Sequence, residues 1–227
     1  MQINKHIALT SVFLVVLIYF FGVSEIDQFI QDSFYNFTTH QWILPWSQEP
    51  YKFIFYDGIK RLLIFVGVIF LVVLFLSYKK PSLQQYKKGL LVVVLSAILV
   101  PAISSGMKKY TNMPCPRDEI RYGGEYPKTA VWEHYSKEFR LHHKRTKCWP
   151  AGHASGGFAL MSLFFLFQSR KNRFLALGGA VALGWAMGGY KMVIGDHFLS
   201  HTVITMVLSW LIILVIVRGV MGKRVEV

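Results

Sequence analysis

Residues 174–217 read FLALGGAVALGWAMGGYKMVIGDHFLSHTVITMVLSWLIILVIV, two long apolar runs joined by seven residues that include Lys191, Asp196 and His197. Each run approaches the roughly 20 apolar residues that a helix needs to cross a bilayer. Ionisable side chains at the end of such a run are costly unless they have a partner or a task. The stretch therefore predicts two membrane helices with polar chemistry between them at one membrane face.

The composition of the whole chain agrees with a membrane protein. Of its 227 residues, 53% are hydrophobic and only 16% are charged, which disfavours both a disordered chain and an ordinary soluble domain. The formal net charge is +13, yet the basic residues lie between apolar runs instead of along one soluble face, so we expect no nucleic-acid partner. The length favours a single membrane-embedded domain, residues 1–227.

Six apolar segments predict the fold, an all-α polytopic bundle of six transmembrane helices. They are residues 7–23, 62–78, 89–105, 154–168, 174–190 and 198–217. The fourth is short and contains glycine, so we expect it to tilt or to begin inside the protein, where neighbouring helices or water satisfy its backbone. Two long loops, about residues 24–60 and 106–152, then lie on the same side of the membrane.

The basic residues of the short loops predict the orientation. One side carries Lys5 together with Lys79, Lys80, Lys87 and Lys88, then Arg170, Lys171 and Arg173, then Arg218, Lys223 and Arg224. By the positive-inside rule this side is cytoplasmic, with both termini inside and the two long loops outside. No convincing cleavage site follows the first segment, so we expect that helix to be retained.

Two patterns have both a structural and a functional interpretation. Loop 24–60 carries a dense set of aromatic residues, which suits the lipid headgroup layer, and we favour an interfacial anchor over a substrate lid. These residues are Trp42, Trp46, Tyr51, Phe53, Phe55 and Tyr56. In the fifth segment, Gly184 and Gly188 have a Gly-x-x-x-Gly spacing, which predicts close packing within the bundle, with a homodimer seam as the alternative.

The chain has two cysteines, Cys115 and Cys148, and both lie in the loop predicted to be outside. In an oxidising compartment they can form a disulfide that closes a loop of about 30 residues, worth roughly 3 to 4 kcal/mol in chain-entropy estimates. Two unpaired thiols are the alternative.

Three groups of residues that can do chemistry fall on the outer side. They are Lys108, Lys109 and Arg117; Pro150, Ala151, Gly152 and His153; and Lys191, Asp196, His197 and His201. Lys and Arg suit an anionic phosphate, and the free backbone N–H groups of a helix that begins near Gly152 favour the same ligand. His153 and His197 can supply a general acid and a nucleophile or base, and a helix places His201 on the same face as His197.

These groups resemble, in order, three motifs of the type 2 phosphatidic acid phosphatase superfamily, which includes vanadium haloperoxidases and bacterial membrane lipid phosphatases. The motifs are Lys-x6-Arg-Pro, Pro-Ser-Gly-His and Ser-Arg-x5-His-x3-Asp. They correspond to Lys109 through Arg117, to residues 150–153 and to residues 190–201. The resemblance covers about residues 108–201, and its six-span layout is that of the membrane branch.

The sequence departs from these motifs at several positions. Seven residues separate Lys109 from Arg117 instead of six, and Asp118 stands where the family has Pro. The other replacements are Ala151 and Tyr190 for Ser, Lys191 for Arg, and His201 for Asp. Lys191 keeps the charge but loses the bidentate fork of Arg, and a neutral His201 would stabilise a His197 imidazolium less well than a carboxylate.

The resemblance implies a function and a set of roles. His197 would attack phosphorus and form a phosphohistidine, His153 would protonate the leaving oxygen, and His201 would orient His197. The residues implied in phosphate binding are Lys109, Arg117, Gly152, Lys191 and Ala151. No metal or other cofactor is implied. The substrate would be a phosphorylated membrane lipid, such as undecaprenyl diphosphate, phosphatidylglycerol phosphate, phosphatidic acid or a lipid A phosphate, at the periplasmic face of a bacterial cytoplasmic (inner) membrane.

Other functions remain open from the sequence. A lipid-to-lipid phosphotransferase would use the same histidine, and the altered motifs are compatible with a catalytically weak lipid-binding protein. His153, His197 and His201 could bind zinc, although the converging Lys and Arg side chains would repel a divalent cation. A vanadate-dependent haloperoxidase is disfavoured because those relatives are soluble.

Overall fold

The computed structural model describes residues 3–46 and 48–222 and is an α-helical bundle with one short hairpin. The helices are α1 Ile3–Val23, α2 Ile26–Asp32, α3 Ile59–Ser77, α4 Pro81–Gln84, α5 Lys87–Met107, α6 Lys137–His142, α7 Gly152–Ala159, α8 Arg170–Val193 and α9 Leu199–Met221. A π-helical turn, Phe53–Gly58, leads into α3, and 3-10 turns cover Pro116–Asp118, Ile120–Tyr122 and Leu160–Phe165. Strands β1 Tyr35–Asn36 and β2 Gln41–Trp42 pair antiparallel.

Within the described residues, four helices are long and apolar enough to cross a membrane. They are Ile3–Val23, Phe53–Ser77, Lys87–Met107 and Leu199–Met221, and they contain four of the six predicted spans. The predicted span 154–168 is divided between α7 and the following 3-10 turn, so it is not one long α-helix. The predicted span 174–190 lies inside α8, whose 24 residues include five glycines and basic residues near both ends.

The helices run back and forth between the same two ends of the bundle. At one end α5 and α8 finish and α7 and α9 begin. At the opposite end Gly89, near the start of α5, lies against Leu166, which follows the 3-10 turn after α7. The polar residues singled out from the sequence therefore lie at the first end. The basic residues Lys223 and Arg224, part of the predicted orientation, lie outside the described residues.

The core of the bundle is formed by α5, α7, α8 and α9, and its buried residues include Val100, Phe158 and Leu214. In contrast, α1 and α3 turn most of their apolar side chains outward, as Val15 and Phe75 illustrate with 66% and 67% of their surface exposed. Apolar area of this extent is unfavourable in water. The outer surface of these two helices therefore suits lipid.

Glycines allow α8 to approach its neighbours closely. A Cβ built on Gly157 would lie 2.8 Å from Gly184 Cα, and a Cβ on Gly188 would overlap the Thr202 side chain of α9. The predicted Gly-x-x-x-Gly pair, Gly184 and Gly188, is thus occupied by packing within the chain and is unavailable for a homodimer seam.

The segments 24–46, 48–52 and 108–151 form a cap over the first end of the bundle. The cap is tied to the helices through buried polar contacts: Asp27 Oδ1 accepts a hydrogen bond from the Ser200 backbone N–H (2.8 Å), and Gln31 Nε2 donates to the Met192 carbonyl (2.8 Å). Asp27 thus satisfies a free N–H at the start of α9. Because of these contacts, the cap fixes where α8 ends and α9 begins.

Candidate active site

The base of the site is the tight connection from α8 to α9. The Lys191 carbonyl accepts hydrogen bonds from the backbone N–H groups of Asp196 (2.8 Å) and His197 (3.1 Å). Gly195 makes this turn with φ +75°, and a Cβ at Gly195 would overlap the Trp42 ring. Only glycine meets both demands. The turn brings Lys191 and His197 to one place although five residues separate them in the chain.

His197 and His201 form a buried pair. Their Nδ1 atoms are 3.2 Å apart, and 4% of His197 and none of His201 is exposed. Within the described residues, Nε2 of His201 has no hydrogen-bond partner, and the Cys148 backbone lies beside that ring. The two histidines are close as predicted, but not through a shared helix: α9 begins at Leu199, and His197 lies before the extended Phe198. His201 lies behind His197 and away from solvent.

His153 is the second residue of α7, and its ring packs on Tyr56 with 4.5 Å between ring centroids. The Lys191 ammonium lies 4.4 Å from the centroid of the same Tyr56 ring, a cation–π contact. Tyr56 therefore joins the second and third groups of predicted residues. The aromatic loop was predicted to be an interfacial anchor, but at Tyr56 it contacts the site. Sequence reasoning missed this role, and aromatic density alone does not signal it.

His153, Lys191, His197 and His201 form a cluster at this end of the bundle. Lys108 belongs to it, whereas Lys109 does not. A Cβ built on Gly152 would lie 3.2 Å from Lys108 Cε and 3.5 Å from Nζ, so this ammonium lies against the start of α7. Lys109 is exposed. Of the two lysines, the structure thus places Lys108, and not the predicted Lys109, beside the start of α7, because neighbouring residues at a helix end differ by about 100° in direction and only one can face the bundle axis.

Arg117 reaches the cluster through Asp196. Its Nη1 lies 2.6 Å from Asp196 Oδ1, and Lys191 Nζ donates to Asp196 Oδ2 at 2.6 Å. The Arg117 backbone N–H also donates to the Gly195 carbonyl (3.0 Å). One carboxylate thus bridges two of the cations predicted to bind phosphate. The sequence analysis grouped Asp196 with Lys191 and His197 but assigned it no task, since it occupies a variable position of the third motif.

Ala151 and Gly152 differ in what they offer a ligand. The Ala151 backbone N–H donates to Thr205 Oγ1 (2.8 Å), and the residue is fully buried. The Ala151 N–H predicted to face a phosphate is therefore already paired within the protein. Gly152 is the first residue of α7 and is partly exposed, and the N–H groups of a first helical turn have no partner within the helix.

A disulfide joins Cys115 to Cys148, with 5.2 Å between their Cα atoms. It holds the segment of Arg117 beside the segment that leads into α7, and Thr111 Oγ1 reinforces the contact by donating to the Trp149 carbonyl (3.0 Å). Among the described residues, the group of potential metal ligands that converges within 4.8 Å is Cys115, Asp118 and Cys148. Since both thiols are used in the disulfide, that group is unsuited to a metal, and the three histidines do not converge in this way.

Burial and charge set the ionisation of two groups. Burial lowers the pKa of the His197 imidazole well below its usual value, and the positive charges of His201 and Lys108 act in the same direction. Burial also lowers the pKa of Lys108; the carboxylate of Asp196 opposes this effect, and Lys191 adds to it. A neutral His197 keeps a lone pair, which is what a nucleophile requires.

An apolar cavity of about 610 Å³ opens beside the cluster, between α3, α5 and α7. Its polar residues are Lys60, Ser105, Lys108 and His153, and the remainder of its wall is mostly aliphatic. The aliphatic and aromatic residues include Leu63, Ile64, Val68, Phe70, Leu71, Val94, Ala97, Ile98 and Leu160. The cavity therefore pairs a cationic mouth with an apolar interior.

Comparison with known families places this geometry in context. The model of the PAP2 superfamily matches residues 89–224, which is more than half of the chain. The matched part includes Lys108, Arg117, His153, Lys191, His197 and His201. No curated protein and no solved structure shows significant similarity to the chain.

Proposed function

Because the chain belongs to the PAP2 superfamily, we propose that it is an integral membrane enzyme that hydrolyses a phosphomonoester or diphosphate on a lipid. The observation that carries the proposal is that Lys108 and His153 lie both in the cluster and at the mouth of the apolar cavity. A phosphate at this mouth would meet cations and imidazoles, while the lipid chain would occupy the cavity. Family membership supports the phosphatase chemistry, and the apolar helices support a membrane location.

In the proposed mechanism Nε2 of His197 attacks phosphorus and the bond to the leaving oxygen breaks. Burial and the charges of Lys191 and Lys108 lower the pKa of His153 to about 4, so in this mechanism His153 takes up a proton as the anionic phosphate binds. It then gives this proton to the leaving oxygen, and the alcohol or lipid monophosphate leaves. Water then attacks the phosphohistidine, with His153 taking a proton from the water, and inorganic phosphate and free His197 result. Lys108, Arg117, Lys191 and the Gly152 N–H would stabilise the charge on the transferring oxygens. These fixed cations supply the charge that a metal would otherwise provide, so the proposal includes no cofactor.

His201 has a defined task in this mechanism although it replaces the family carboxylate. If its Nε2 proton is directed to the Cys148 carbonyl, its Nδ1 can accept the Nδ1 proton of His197. Nε2 of His197 is then the nitrogen with the lone pair. The disulfide supports this arrangement because it holds Cys148 in place. A neutral imidazole would thus do the orienting work of a carboxylate, with less stabilisation of positive charge on His197.

The proposed location is the bacterial inner membrane, with six spans, both termini in the cytoplasm and the cap in the periplasm. A disulfide between Cys115 and Cys148 supports an oxidising compartment for the cap. A site at the end of the bundle also suits a phosphate at headgroup depth whose hydrocarbon stays in the bilayer.

The test is release of inorganic phosphate from phosphatidic acid, phosphatidylglycerol phosphate, undecaprenyl diphosphate and lipid A by detergent-purified protein, in parallel with and without EDTA. His197→Gln should lower the rate by at least about 10³-fold, as expected for loss of a nucleophile. His142→Gln, which changes an exposed histidine of the cap, should have the wild-type rate. Equal release by His197→Gln, or dependence of the wild type on a metal that EDTA removes, would contradict the mechanism.

A further inference from the structure

The side chain of Asp196 makes contacts that a phosphate group would make. Its two carboxylate oxygens lie 2.6 Å from Arg117 Nη1 and 2.6 Å from Lys191 Nζ. Only 11% of the Asp196 side chain and 8% of the Lys191 side chain are exposed. Two oxygens of one anion, each on its own cation, are the pattern of a bound oxyanion.

The backbone holds this carboxylate at the site. The Asp196 N–H donates to the Lys191 carbonyl, and the neighbouring Gly195 has a positive φ and contacts Trp42. Moving the whole turn would disturb the position of His197, whose N–H uses the same carbonyl. Rotation of the Asp196 side chain is therefore the movement by which the two cations can be released.

We infer that Asp196 is a built-in competitor for the phosphate of the substrate, an inference that rests on the proposed function of the site. The carboxylate holds Arg117 and Lys191 together and gives them up when a phosphate takes its place. Because it repels the incoming anion and must leave two ion pairs, it lowers the affinity of the site for all phosphates. It thereby sets specificity, since only a substrate that also gains contacts elsewhere, as a lipid chain does in the cavity, binds well.

The test is binding of inorganic phosphate and of vanadate to the purified protein, measured by calorimetry, so that turnover is not needed. Asp196→Asn keeps the shape of the side chain and removes its charge, and should tighten both dissociation constants about tenfold. Glu138→Gln, which removes an exposed carboxylate from the cap, is the matched control and should leave them unchanged.

Three outcomes decide between competition and simple positioning. The competitor role is supported if Asp196→Asn binds both anions more tightly than wild type does. Its KM should also fall more, relative to wild type, for soluble phosphomonoesters than for lipid phosphates. Unchanged or weaker binding overturns it, because a residue that only positions Arg117 and Lys191 would weaken the site when neutralised. Asp196→Ser is a second variant that removes the carboxylate. A thermal melt of each variant shows whether either result comes from misfolding. Tighter anion binding without any lipid hydrolysis by the wild type would overturn the proposed function and leave the competition standing.

Discussion

At the scale of single residues, the most consequential replacement is His201, which stands where related motifs have a carboxylate. Its Nδ1 is 3.2 Å from Nδ1 of His197, and its ring is fully buried. A neutral buried imidazole can accept the His197 proton at Nδ1 only if its own proton is on Nε2, and that Nε2 has no hydrogen-bond partner among the described residues. In the proposed mechanism, a substitute at this position must therefore accept a hydrogen bond from Nδ1 of His197 and carry its own proton on another atom.

This requirement predicts the effect of two substitutions. His201→Asn supplies both an acceptor and a donor and should keep kcat within about tenfold of wild type. His201→Leu removes the acceptor and should lower kcat by about 10²- to 10⁴-fold, in the range seen when a catalytic histidine loses its orienting partner. The measurement is kcat on a soluble phosphomonoester beside a thermal melt. Equal activity of the two variants with equal stability would show that His201 does not orient His197.

Individual residues also show what the sequence could and could not predict. The motif spacing predicted that His153, Lys191 and His197 lie near one another, and in the structure each lies at or next to a helix end on the same side of the bundle. It could not choose between Lys108 and Lys109, since that depends on the rotation of α5 at its last turn. Asp196 was missed because its importance comes from two ion pairs, with Arg117 and Lys191, that only the folded connection creates.

At the scale of elements, the contact between α8 and α9 determines the distance between the cationic and nucleophilic groups. Gly188 of α8 faces Thr202 of α9 so closely that a Cβ would overlap it, whereas a Cβ on Gly189 would have nothing within 4 Å. The two glycines are neighbours on one helix, so they differ in packing and not in helix propensity. They form a matched pair for testing how much this contact matters.

We expect Gly188→Ala to lower the Tm of the detergent-solubilised protein by at least about 3 °C, because overpacking costs about 1 to 3 kcal/mol. Activity should also fall, since α8 carries Lys191 and α9 follows His197. Gly189→Ala should leave both quantities unchanged or raise the Tm slightly, as alanine favours helix. Comparable melting of both variants would mean that α8 and α9 are not packed through Gly188.

The elements were predictable to different degrees, for a physical reason. Uninterrupted apolar runs identified the four long helices because the bilayer demands length and apolarity that can be counted. The break after α7 follows from local packing, where residues 160–165 tighten into a 3-10 turn, and no count of apolar residues reports it. The cap was least predictable, since its shape depends on contacts between distant residues such as Asp27 with Ser200 and the disulfide of Cys115 with Cys148.

At the scale of the whole molecule, the bundle combines the two surfaces that the proposed substrate, a lipid phosphate, would require. The helix ends and the cap gather fixed charges at one end, while α3 and α5 leave an apolar cavity that begins at those charges. Much of α3 is exposed and apolar, so the cavity lies next to the surface that suits lipid. A substrate could thus keep its hydrocarbon in an apolar environment from the bilayer to the site.

This arrangement predicts that the cavity and the charged cluster can be separated by mutation. Ala97 lines the cavity on α5, and Leu99 lies on the same helix but outside the cavity wall. Ala97→Trp should fill the cavity and lower kcat/KM for a long-chain lipid phosphate by at least about tenfold, because the lost chain contacts are binding energy used in the transition state. Turnover of a soluble phosphomonoester, which needs only the cluster, should stay within about threefold. Leu99→Trp should change neither rate. If Ala97→Trp slowed both substrates equally, the cavity would be a support for the fold instead of a site for the lipid chain.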